Sequence, residues 1–196
     1  SGIHFALGSN GPRRVAAMGG LRHWKDGRDA PDVMVGLFDY PETKSHPPFT
    51  MSLQVNFADG TGGSQEFRFV GDEGIMTIGG AGVSVSRRAA EREPGHTIET
   101  FAGAQQKAFL EAYRSKYPEP GEVVLAESGQ TQYQPPRGYD DRREHFARFF
   151  HAMRTKGRVV EDATFGYRAA APALLCNQSY REGRTLGWDP EGMRTA

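Results

Sequence analysis

The side chains of this sequence best suited to proton transfer or metal binding near neutral pH are six histidines: His4, His23, His46, His96, His145 and His151. None stands at H-x-x-x-H spacing to another, and Cys176 is the single cysteine, so no metal site and no internal disulfide are expected. His145 and His151 are six apart, which puts them on different faces of a helix. Cys176 lies in an Ala- and Leu-rich stretch and reads as a buried structural thiol, and no G-x-S-x-G nucleophile turn is present. A dinucleotide site needs a strand, a G-x-G-x-x-G turn and a helix whose N-terminus holds the pyrophosphate. Gly79-Gly80-Ala81-Gly82 joins two strand-like segments and leads into no helix, so it reads as a hairpin turn. No nucleotide cofactor is therefore expected to be bound by this chain itself.

The segments that would position these residues divide into strands first and helices last. Residues 49–57 alternate cleanly, with Phe49, Met51, Leu53, Val55 and Phe57 on one face and Thr50, Ser52, Gln54 and Asn56 on the other. That is one-sided burial, the mark of an antiparallel sheet with one polar face. Shorter strands are predicted over 14–18, 32–39, 65–70, 75–78 and 83–86, separated by glycine-rich turns in a meander of hairpins. Residues 105–117 predict a helix ended by Pro118, and 118–138 a long Pro- and Gln-rich loop. Asp140 or Asp141 can cap a helix to about Lys156, with Phe146, Phe149, Phe150 and Met153 as its apolar stripe and Gly157 as its stop. A second helix follows from Glu161 or Asp162 to about Glu182, carrying Phe165, Ala169, Ala173, Leu174 and Tyr180 inward. It has Pro172 inside it and Gly183 as C-cap, and a short strand closes at 185–188. The fold class is α+β: an open-faced, largely antiparallel sheet with helices on one face, in a single domain over 1–196. The two last helices are expected to cover the apolar face of 49–57.

Composition narrows the partners. Lys plus Arg and Asp plus Glu are 24 each, which speaks against nucleic acid, whose partners carry a basic surplus. The longest apolar runs, such as Val33 to Phe38, are far too short for a membrane span. The chain opens Ser1-Gly2-Ile3 without Met, which suggests a processed or excised piece, and its compartment stays open.

Two stretches carry a resemblance. Phe69-Val70-Gly71-Asp72-Glu73-Gly74-Ile75-Met76-Thr77-Ile78 is similar to the strand, G-(T/D)-E-G turn and strand of the glucose–fructose oxidoreductase and inositol dehydrogenase family, Gfo/Idh/MocA. Residues 145–184, with Trp188-Asp189-Pro190-Glu191 after them, resemble that family's ending, H-x-x-x-F…E-D-A…G-x-R-A…N-x-S-Y…G-R…W-D-P-E. The resemblance covers most of the chain, with the predicted strands in the expected order. It implies the C-terminal domain of an NAD- or NADP-dependent oxidoreductase acting on a sugar or polyol by hydride transfer. The Rossmann half and its catalytic Lys would lie outside this chain.

The same resemblance places His4 at or next to the family's acid/base histidine, with the companion aspartate falling before Ser1. An imidazole there can relay a carbinol proton, or it can be a helix-end residue beside the true catalytic group. Trp24, within Arg22-His23-Trp24-Lys25, either stacks on a pyranose face or belongs to a solvated loop. Tyr133, in the long loop, either reaches a substrate or neighbouring subunit or is solvated, and Arg168 can hold an acid such as Asp162. The uncharged row Thr50, Ser52, Gln54 and Asn56, extended by Gln65 and Arg68, suits a homo-oligomer formed through the open sheet face. The competing function is a non-catalytic carbohydrate-binding or dimerisation module.

Overall fold

The computed structural model describes residues 1–63, 65–80, 82–87, 96–116 and 130–196. The order is α1 (Gly2–Leu7), β1 (Arg14–Gly20), β2 (Val33–Tyr40), β3 (Phe49–Asn56), β4 (Phe67–Val70), β5 (Gly74–Gly79) and β6 (Gly82–Arg87). A 3-10 turn (His96–Thr100) and α2 (Gly103–Lys116) come next, then β7 (Gln130–Tyr133), α3 (Asp141–Thr155), α4 (Ala163–Glu182), β8 (Leu186–Asp189) and β9 (Arg194–Thr195). This is an α+β fold with open antiparallel sheets. The strands sort into two of them, ordered β3-β2-β1-β8-β9 and β4-β5-β6-β7. The chain accordingly divides into two compact units, Ser1–Ser64 with Asp140–Ala196, and Gln65–Tyr139.

In the first unit the alternation of β1, β2 and β3 decides which side is covered. Val15 pairs with Phe38 and Phe38 with Met51, so these three share a face, on which Tyr40 and Phe49 form the next row. That face carries the core: Val15, Phe38, Tyr40, Leu175, Cys176, Leu186 and Trp188. Each large side chain so buried contributes roughly 1.5–3 kcal/mol. Helix α4 supplies the cover through Pro172, Leu175, Cys176 and Ser179. It comes close because Gly36 lacks a side chain: a Cβ there would lie 2.7 Å from the Cys176 Sγ. Ser179 fixes the register of helix on sheet, since its hydroxyl accepts from the Ala17 N–H (3.0 Å) and donates to the Arg184 carbonyl (2.6 Å). Strand β8 reaches only Arg14 and Val15 of β1, so the hydroxyl takes a donor that the sheet leaves open.

Several expectations hold at the helix ends. Asp140 and Asp162 accept from the N–H groups of Arg143 and Phe165, and Gly183 ends α4 at φ 63°. The left-handed residue that ends α3 is Lys156 (φ 52°), one position before the expected Gly157. The described part of the predicted long loop, from 130, begins as strand β7, paired through Val83 and Tyr133, and the rest of that loop's first half lies outside the described residues.

The packing of the last helices differs from the expectation. Phe146, Phe149, Phe150 and Met153 are 47–63% exposed, and α3 buries only Ala152. Leu174 is 65% exposed and Tyr180 37%, and α4 turns Pro172, Leu175, Cys176 and Ser179 inward instead. Where α4 comes nearest the strands, at Gly36 and Ala17, the small side chains of Cys176 and Ser179 make the contact. Strand β3 is a sheet edge beyond this cover, which leaves Leu53 38% and Phe57 71% exposed. Of the two residues expected to extend the β3 row, Arg68 stands on β4 of the second sheet and Gln65 precedes that strand.

Candidate functional site

Helix α1 is a six-residue turn closed by Gly8 at φ 63°, whose geometry lets the Ser9 N–H reach the His4 carbonyl (3.1 Å). This short helix lays His4 against the end of β2, where the ring is 5% exposed. Its Nε2 is 3.0 Å from the Tyr40 hydroxyl, and the two rings meet edge to face at 5.8 Å. Tyr40 stacks on Phe49 with centroids 4.4 Å apart, and His46 sets its edge against Phe49 at 5.1 Å. A tight turn holds His46: the Thr43 N–H donates to the His46 carbonyl (3.0 Å), and the His46 N–H to the Thr43 hydroxyl (3.2 Å). Two imidazoles, a phenol and a benzyl ring thus close one end of the first sheet.

Burial dominates the electrostatics of this cluster. Removal from water, followed by the N-terminal amino group and His46, lowers His4 from 6.5 to about 4. His4 is therefore neutral at pH 7, and the proton affinity near neutrality expected of a free imidazole does not apply. Burial also pushes the Tyr40 phenol far above its ordinary value. Two nitrogens of the cluster, His4 Nδ1 and His46 Nε2, are buried without a hydrogen-bond partner. No sequence signal marks this group, because its members, from His4 to Phe49, are separated by up to 45 positions in a pattern with no fixed spacing.

Trp24 is not part of it. The loop bearing it is pinned by Asp32, whose carboxylate accepts from the backbone N–H groups of Arg22, His23 and Trp24 (2.7–3.0 Å). Burial pushes the Asp32 carboxyl up, and these three donors outweigh it and bring it to about 2. Asp32 precedes β2 and Tyr40 ends it, a strand span of roughly 25 Å at about 3.3 Å per residue, so the Trp24 loop and His4 are anchored at opposite ends of β2. One face of the Trp24 ring is also taken by the Arg28 guanidinium, 4.6 Å from the centroid. Tyr133 is a 60% exposed residue of the edge strand β7, in the second unit. Arg168 holds Asn10 (3.2 Å) and Glu191 (3.7 Å) and not Asp162, which is occupied as a helix cap.

A shallow groove of about 410 Å³ between α4 and β8–β9, lined by Tyr167, Leu174, Gln178, Trp188 and Arg194, contains none of His4, Trp24 and Tyr133. Burial raises the Cys176 thiol to about 11, so it is a packing group. Among the described residues no cluster of three His, Cys, Asp or Glu could hold a metal ion, and no helix is long and apolar enough to cross a membrane.

Among solved structures that share this fold, a Thermotoga maritima protein described as an oxidoreductase superposes with a TM-score of 0.59 at 14% identity, over 93% of this chain and 42% of that one. An oxidoreductase from Agrobacterium radiobacter, solved with NAD+, L-tartaric acid and magnesium, gives 0.56 at 12% identity, over 98% of this chain and 46% of that one. No protein-family model and no curated protein matches the sequence. The chain spans less than half the length of either neighbour, and what it shares with them is the fold of a domain found in oxidoreductases.

Proposed function

We propose that this chain is the C-terminal domain of an NAD- or NADP-dependent oxidoreductase of the Gfo/Idh/MocA type, acting on a sugar or polyol. The observation that carries the reading is the backbone likeness to oxidoreductases over almost the whole chain, while more than half of each neighbour has no counterpart here. The motifs at 69–78 and 145–191 point the same way. In this reading His4 is the group through which the domain serves the acid–base step, and a nucleotide-binding half elsewhere in the parent protein supplies the hydride carrier. Being neutral, His4 would donate a hydrogen bond to a developing alkoxide rather than carry a positive charge. The chain alone then neither binds NAD(H) nor turns over sugars. Calorimetric titration tests this: micromolar NAD(H) affinity in the isolated chain would refute it. So would a parent reading frame with no strand, G-x-G-x-x-G/A turn and helix upstream.

A second role has its own observation. The outer face of the first sheet is uncovered, with Met18 82%, Leu37 50% and Val35 41% exposed beside Ser52 and Gln54. Apart from the Arg14–Asp39 ion pair at one end, this part-apolar face carries no charge beside these residues, which suits isologous pairing with a second copy.

A further inference from the structure

We infer that Tyr40 is a positioning residue of the His4 site: its hydroxyl donates to Nε2, fixes His4 in the Nδ1–H form, and leaves Nδ1–H as the group that meets a substrate oxygen. The inference rests on the proposed acid–base role of His4 and adds which nitrogen performs it.

A neutral imidazole has one N–H and one bare nitrogen, so the bond between His4 and Tyr40 can run in two directions. If Nε2–H donated to the phenol oxygen, the phenol's own hydrogen and the bare Nδ1 would both be buried without partners. If the phenol donates to Nε2, the single group left unpaired is Nδ1–H. Each buried unpaired donor or acceptor keeps its full desolvation penalty, so the arrangement that leaves one instead of two prevails. Tyr40 can hold that direction permanently, because burial keeps its proton on and Phe49 stacks against its ring.

His46 provides an internal comparison. Its Nδ1 lies 2.9 Å from the Pro47 carbonyl, which only accepts, so His46 also carries a proton on Nδ1, and in the neutral ring its unpartnered Nε2 is an acceptor. The two orphaned nitrogens therefore differ in sense: His4 offers a donor and His46 an acceptor. A hydroxyl can serve either, which fits a carbinol or the carbonyl it becomes as the partner of His4. Nδ1 is enclosed, so that contact requires a shift of α1, a helix whose N-cap Ser1 makes no side-chain cap bond.

Long-range ¹H–¹⁵N correlation spectra of the imidazoles at pH 7 test the assignment on this chain. In the wild type, His4 and His46 should both show a protonated Nδ1, whereas free histidine in water favours Nε2–H. In Tyr40→Phe, which keeps the ring, His4 should lose its fixed form and move towards Nε2–H while His46 is unchanged. An Nε2–H signature for His4 in the wild type would overturn the inference, and that measurement stands even if the variant fails to fold. An unchanged His4 tautomer in Tyr40→Phe would overturn it equally. Neither readout depends on catalysis, so the proposed enzymatic role of His4, tested by His4→Asn in the parent enzyme, can fail separately.

Discussion

Replacing Gly36 by alanine should test the closeness of α4 to the sheet. The new methyl would lie 2.7 Å from the Cys176 Sγ and 3.0 Å from the Phe38 ring. Non-bonded heavy atoms rest at about 3.5–4.0 Å, so the helix has to withdraw by about 1 Å or the two side chains have to leave their rotamers. Overpacking of this kind costs about 1–3 kcal/mol. Cys176→Ala alone removes one buried heavy atom, comparable to a methylene, at about 1 kcal/mol. In the double variant the Gly36→Ala methyl occupies the space left by the sulfur. Its total loss should be about 1 kcal/mol or more below the sum of the single losses. Urea unfolding of the four proteins, with midpoints compared at common slope, gives the coupling directly. Additivity within about 0.5 kcal/mol would mean that the helix does not approach β2 at this point, and the packing described above would be wrong.

Other consequences are as direct. His4 lies at about 4 when folded against 6.5 when unfolded, so the unfolded chain takes up the proton first. Stability should be full above about pH 6.5 and fall as pH drops towards 4, by roughly 3 kcal/mol at most, and His4→Gln should flatten that part of the profile in urea titrations. Phe38→Ala, at a 2% exposed site, should cost about 3–5 kcal/mol, whereas Phe149→Ala, at a 48% exposed site, should cost about 1 kcal/mol or less. Equal losses would show that α3 buries its stripe after all. If the outer sheet face pairs two copies, Leu37→Lys should convert a dimer into a monomer by light scattering; a wild-type chain that is monomeric at tens of micromolar would end that proposal.

The amino-acid sequence by itself determined the elements. Alternation in 49–57, caps at Asp140 and Asp162 and the stop at Gly183 are local rules satisfied by neighbours within a few residues, so they could be read without a structure. It also marked His4, through a resemblance in motif order, but not what His4 touches. Only the tertiary structure decided that α4 and not α3 covers the sheet. The inward face was set by how near a helix can lie to Gly36, where the Cys176 thiol fits against the strand while Leu174 and the phenylalanines of α3 stay outside. It also sorted a continuous run of hairpins into two sheets, a choice made by hydrogen bonds between strands far apart in sequence, such as β1 with β8. Tyr40 and His46 came to His4 in the same way, and Trp24 was carried to the far end of β2. Proximity between residues dozens of positions apart leaves no periodicity to read, because it is set by strand length and pairing register rather than by the residues themselves.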